Sequence, residues 1–157
     1  MGKTTLADAI SRMETRPHAI VDLDSIRRFE PPSSVDPFNH ELELQNLRSI
    51  IRNYRNAGAE RFILAGVLED PRELPRYLHA MGSCKMFICR IVAEPSIIES
   101  RLDARHKDNP EELRWHLARH GELTAILDAN KVENFVVDSS NLSVDELAVR
   151  VRSAAQW

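Results

Sequence analysis

Short apolar runs alternate along this chain with stretches of helical periodicity, and that alternation restricts the fold more than any other feature. The runs His18-Ala19-Ile20-Val21-Asp22-Leu23-Asp24, Arg61 to Val67, Lys85 to Val92 and Asn134 to Asp138 read as strands. Each is apolar over consecutive positions, the pattern of a strand covered on both faces. Helical segments lie around them. Leu6, Ile10 and Met13 mark the first, and Leu44, Leu47, Ile51 and Tyr54 mark a long one ending near Asn56. Another runs from Pro71 to Met81 and stops at Gly82. A fourth starts at Pro95 and carries Ile97, Ile98, Leu102 and Arg105. The next begins at Pro110 and directs Leu113, Leu117, Leu123 and Leu127 towards a core. The last is opened by Ser143 with Glu146 three residues on, a capping box, and runs to about Ala155. This order predicts an α/β protein with a parallel sheet and right-handed crossovers. A length of 157 residues suits one domain.

Composition narrows the partners. Charge is balanced at 24 acidic against 21 basic residues, and no Lys/Arg block marks a nucleic-acid footprint. Apolar runs fall well short of the roughly 20 residues that span a bilayer, and no signal-peptide pattern is present. The expectation is a soluble, cytoplasmic protein. Cys84 and Cys89 are five apart and fall on opposite faces of a strand, which argues against a mutual disulfide or a shared metal.

Two polar sites carry chemistry. Gly2, Lys3 and Thr4 fit the last three positions of the phosphate-loop signature G-x-x-x-x-G-K-[ST], with Thr5 next, at the start of the first helix. Free N–H groups and the helix dipole favour an anion there. In that motif the lysine reaches the β- and γ-phosphates and the threonine hydroxyl ligates Mg²⁺. The bare tripeptide also reads as a polar helix start. Met1 stands where the residue before the second glycine belongs, and neither a first glycine nor a preceding strand is in the chain. The expectation is that Met1 marks a start-site choice or a truncation. In-frame upstream codons would then spell about five apolar residues followed by Gly-x-x-x.

The second site is Asp22-Leu23-Asp24-Ser25-Ile26-Arg27, at the carboxyl end of a strand, where open α/β sheets bind ligands. One carboxylate can organise Mg²⁺ through water and the other can accept a proton from an attacking hydroxyl. The alternative is structural, with Asp24 capping the helix that starts at Ser25. In company with Gly2-Lys3-Thr4, the functional reading is the better supported.

These motifs resemble those of small P-loop kinases of the adenylate-kinase-like group, which includes adenylyl-sulfate, shikimate and gluconate kinases and related antibiotic phosphotransferases. Asp22 to Arg27 is similar to the D-x-D-x-[IV]-R stretch of adenylyl-sulfate kinases. Arg101-Leu102-Asp103-Ala104-Arg105 resembles the R-L-x-x-R at the entry to the mobile lid, here a short one over about residues 101–112. Asp108 to Arg119 resembles the helix leaving the lid, and Val137 to Ser143 the loop beside adenine. The resemblance implies a three-layer P-loop fold over residues 1–157, its sheet flanked by helices. Its first, central strand would lie between those at 61–67 and 85–92 and is missing from this chain.

By the same resemblance, ATP would lie on Gly2, Lys3, Thr4 and Thr5, with Asn141 near adenine and Arg101 and Arg105 on the phosphates. Thr4 and Asp22 would serve Mg²⁺, Asp24 would take the acceptor's proton, and Arg27 and Arg72 would hold an acceptor anion. Lys3, Asp24, Arg101 and Arg105 would form the catalytic set. Arg101 and Arg105 are also i and i+4 on one helix face, so both forks can converge on one triphosphate. Arg114 and Arg119 suit a surface at least as well.

The strand at Phe62-Ile63-Leu64-Ala65-Gly66 lacks a Walker B aspartate, which counts against a motor ATPase. His116 and His120 lack the glutamate of a zinc-protease helix, and Trp115 and Trp157 read as packing residues. The expected function is transfer of the γ-phosphoryl group of Mg·ATP to a small acceptor. The alternative is a nucleotide-binding or catalytically inactive P-loop protein, non-functional if truncated.

Overall fold

The computed structural model describes residues 2–157 and divides into two compact units, the first of residues 3–68 and 72–86, the second of residues 69–71 and 87–157 with Gly2. Met1, on which the start-site expectation rests, lies outside the described residues.

In the first unit, helix α1 (Lys3–Met13) buries Leu6, Ala7, Ala9 and Ile10 against a parallel pair, β1 (His18–Asp22) and β2 (Arg61–Ala65). The pair runs in register from His18 opposite Arg61 to Asp22 opposite Ala65. A parallel pair needs a long crossover. Here it is supplied by α2 (Leu23–Ile26) and α3 (His40–Asn56). Leu44, Leu47 and Ile51 repeat at helical spacing on α3, and Leu47 is 0 % exposed. They pack with Val21, Leu23 and, from α4 (Leu74–Ala80) and the residue after it, Tyr77, Ala80 and Met81. Tyr54, expected on the same stripe, is 42 % exposed.

Gly66, just past β2, is needed for close approach. A Cβ there would stand 2.3 Å from Leu23 Cδ1 and 2.9 Å from Leu23 Cβ. Leu23 is buried at the start of α2 and cannot swing clear. Gly66→Ala should therefore cost about 1–3 kcal/mol through overpacking. Urea denaturation reads this directly, and an unchanged midpoint would show that α2 yields freely.

The second unit repeats the parallel arrangement with β3 (Cys89–Val92) and β4 (Phe135–Asp138), Cys89 opposite Phe135 and Val92 opposite Asp138. Helices α5 (Pro95–His106) and α6 (Pro110–Asn130) connect them. Proline opens both, where the missing N–H does no harm. Asn109 caps α6 by accepting from the Glu112 N–H at 3.1 Å. Leu113, Leu117, Leu123 and Leu127 are half-buried rather than buried, and Trp115 is 57 % exposed, so neither expectation of core packing on α6 holds. Helix α7 (Val144–Ala155) begins with the expected Ser143–Glu146 capping box and buries Leu147, Ala148 and Val151.

The α/β order and the parallel pairings are as expected, but the strands do not join into one sheet: β1–β2 and β3–β4 are separate two-stranded sheets. The resemblance places a further strand between the second and third, and the described residues supply none. No helix among the described residues is long and apolar enough to cross a membrane.

Candidate functional site

The first unit gathers its polar side chains where β1 ends beside the start of α1. Gly2 enters α1 with φ +98°, a conformation L residues avoid, which suits glycine before Lys3. The Thr4 hydroxyl donates to Asp22 Oδ2 at 2.8 Å. The other oxygen of Asp22 accepts from the Ser25 N–H at 3.0 Å, so Asp22, and not Asp24, caps α2. This shortens the strand by two residues relative to the apolar run. Burial pushes the Asp22 carboxyl up. The hydrogen bonds from Thr4 and the Ser25 and Asp24 N–H groups, with the charge of Lys3, outweigh burial and hold it below the usual range.

With the capping role taken by Asp22, Asp24 is left to the cations. Lys3 Nζ lies 3.4 Å from Asp24 Oδ2, and the Arg27 guanidinium donates to the other oxygen. Arg27 turns its second nitrogen to Glu43 Oε2 at 3.2 Å, and Glu43 accepts a hydrogen bond from the Tyr77 hydroxyl. Glu43 is only 1 % exposed. Burial raises its pKa, opposed by Tyr77 and Arg27, and burial together with Glu43 raises that of Tyr77. The result is a continuous chain, Lys3–Asp24–Arg27–Glu43–Tyr77, anchored in the apolar core. Sequence reasoning missed its last two members. The one available signal was Glu43 itself, a carboxylate four residues before Leu47 on the buried stripe of α3. Arg27, expected to hold an acceptor anion, is shared between two carboxylates. Arg72 lies in a single 3₁₀ turn, Pro71–Glu73.

In the second unit, Arg101 on α5 donates to Ser139 Oγ at 3.0 Å and to the Ser139 carbonyl at 2.9 Å. Ser139 is buried and donates onward to the Val92 carbonyl at 3.0 Å. Arg101 thus ties α5 to the ends of β3 and β4. Arg105, one turn on, is exposed, as are Asn141, after β4, and Arg114. Arg119 pairs with Glu69 at 2.6 Å and Glu122 at 3.4 Å. Both cysteines are free thiols, and burial lifts the pKa of Cys89 to about 11.

The donor set around Asp22 suits Mg²⁺ chemically, because a hydroxyl and a carboxylate, both hard oxygen ligands, already sit side by side. No protein-family model and no curated protein matches the sequence. Among solved structures, the tunicamycin resistance protein of Deinococcus radiodurans is similar, with a TM-score of 0.68 and 15 % sequence identity. The match covers 98 % of this chain and 88 % of that one. At this identity the likeness is one of fold. It extends over nearly the whole chain.

Proposed function

We propose that this chain binds Mg·ATP at the Gly2-Lys3-Thr4 start of α1 and acts as a P-loop-type phosphotransferase towards a small hydroxylated acceptor. The observation that carries the reading is the convergence of Lys3, Thr4, Asp22 and Asp24, with Thr4 on Asp22 at 2.8 Å and Lys3 on Asp24 at 3.4 Å. Residues from two separate segments meet in the pairing that nucleotide and metal binding needs. Thr4 and Asp22 would hold Mg²⁺, which would neutralise phosphate charge. Lys3 would exchange Asp24 for a phosphate oxygen. Asp24, released from Lys3 and still steadied by Arg27, would accept the acceptor's proton. Thr5 is proposed as a further nucleotide contact. Arg72 is proposed for an acceptor anion. The similar fold of a tunicamycin resistance protein makes an antibiotic a reasonable first acceptor to try.

A second reading, nucleotide binding without turnover, draws support from the ion pairs that already occupy Asp24 on both sides. Calorimetry with Mg·ATP and with ATP alone tests what the two readings share. Binding should require Mg²⁺ for full affinity, and Lys3→Ala should weaken it by about 10-fold or more, the loss of a charge-assisted phosphate contact. Equal affinity in Lys3→Ala would remove the phosphate site from both readings. Release of ADP with an acceptor then separates transferase from binding protein.

A further inference from the structure

The α5–α6 hairpin brings together three side chains that no part of the nucleotide reading uses. His106 is the last residue of α5, Glu112 lies in the first turn of α6, and His116 follows one turn later. One ligand atom from each lies within 4.8 Å of the other two. His106 Nδ1 is 3.3 Å from Glu112 Oε2, and His116 Nε2 is 3.8 Å from Glu112 Oε1. The imidazoles stack with centroids 4.4 Å apart. His106 is 7 % exposed, and its Nε2 is buried without a hydrogen-bond partner. Asn109 Nδ2 donates to Glu112 Oε2 at 3.2 Å and so helps to fix the carboxylate.

We propose that His106, Glu112 and His116 form a binding site for a divalent transition metal of the Zn²⁺ class, joining the end of α5 to the first turns of α6. Two imidazoles and one carboxylate are a zinc-type donor set, and imidazole disfavours Mg²⁺ and Ca²⁺ as occupants. Bonds of about 2.0–2.1 Å in tetrahedral geometry put ligand atoms roughly 3.4 Å apart. The trio therefore has to tighten by little more than an ångström, which side-chain rotation can supply. Three protein ligands leave a fourth position for water. The sequence pattern hid the site because its third ligand comes from the preceding helix. The helical pair His116 and His120 points to the wrong partner.

Titration of the nucleotide-free protein with Co²⁺, followed by its visible d–d absorption, and with Zn²⁺ by calorimetry tests the site. One Co²⁺ per chain should bind with the intense band of a four-coordinate centre. His116→Gln and Glu112→Gln should each weaken binding by about 10-fold or more, at least the loss that a second-shell change causes. Because Glu112 is half exposed, its variant should fold even where a change at buried His106 does not. His120→Gln, and Cys84→Ser with Cys89→Ser, should leave binding unchanged. Zn²⁺ should raise the melting temperature of the wild type and not that of Glu112→Gln. Absence of Co²⁺ binding would overturn the assignment. So would binding indifferent to both His116→Gln and Glu112→Gln, or binding lost with the cysteines.

Discussion

Asp24→Asn should lower phosphoryl transfer by about 100-fold or more while leaving affinity for Mg·ATP undiminished. The first half follows from the proposed role of Asp24 as proton acceptor, since an amide keeps the shape and loses the basicity. The second half follows from geometry. In the nucleotide-free protein Lys3 is paired with Asp24 at 3.4 Å, so removing the carboxylate charge frees Lys3 for phosphate. Arg27 keeps Glu43 as its partner at 3.2 Å, so the variant does not strand a buried cation. ADP release measured with the acceptor giving the highest turnover, beside calorimetry on the same preparations, reads both quantities. Full turnover in Asp24→Asn would reduce Asp24 to a charge partner of Lys3 and Arg27. Parallel loss of ATP affinity would instead place Asp24 in nucleotide binding.

What could be read in the sequence follows how local each determinant is. The stripe Leu44, Leu47, Ile51 was legible because a helix repeats every 3.6 residues and one face alone is covered. The Ser143–Glu146 box was legible because both partners lie within one turn. The meeting of Thr4 with Asp22 was anticipated only as motif order, and the distance came from the fold. Two strand ends differ from the expectation, one through a distant side chain and one through a local cap. The third strand was expected to begin at Lys85 and begins at Cys89. Just before it, the Ile88 N–H donates to the Asn134 side chain at 2.8 Å, while the Ile88 carbonyl accepts from both Asn134 and Phe135. A side chain 46 residues away thus takes the place of a ladder partner. The first strand was expected to include Asp24 because the apolar run continues to Leu23. The Asp22 cap on the Ser25 N–H turns the chain into α2 instead. Glu43 and Tyr77, 34 residues apart, meet only through packing of α3 on α4, and no local pattern announces such a pair.

Glu14→Gln should destabilise the first unit by about 2–3 kcal/mol at neutral pH, and that deficit should shrink on acidification. Glu14 follows α1 directly. One oxygen accepts from the Thr15 and Arg16 N–H groups at 2.9 and 2.8 Å, and the other pairs with Arg61, the first residue of β2, at 2.5 Å. The carboxylate therefore satisfies the turn after α1 and ties that turn to the strand pair. The Arg16 N–H lowers its pKa most. Burial opposes this, and Arg61 and the Thr15 N–H add to the lowering, carrying the value from 4.5 to about 2. A carboxylate depressed on folding contributes its full stabilisation above its unfolded value and loses it as pH falls through the folded one. The wild type should thus stand above the variant by a constant margin at neutral pH. Its advantage should begin to decline as pH falls to about 4.5 and be lost as pH drops through about 2, below which Glu14 is protonated in both states. A neutral glutamine offers one carbonyl oxygen to N–H groups that now meet a full charge, and it leaves Arg61 without this carboxylate. Urea denaturation at stepped pH measures the margin. A difference between wild type and Glu14→Gln that stays constant on acidification would mean that the Glu14 charge contributes nothing and that the loss is one of shape alone.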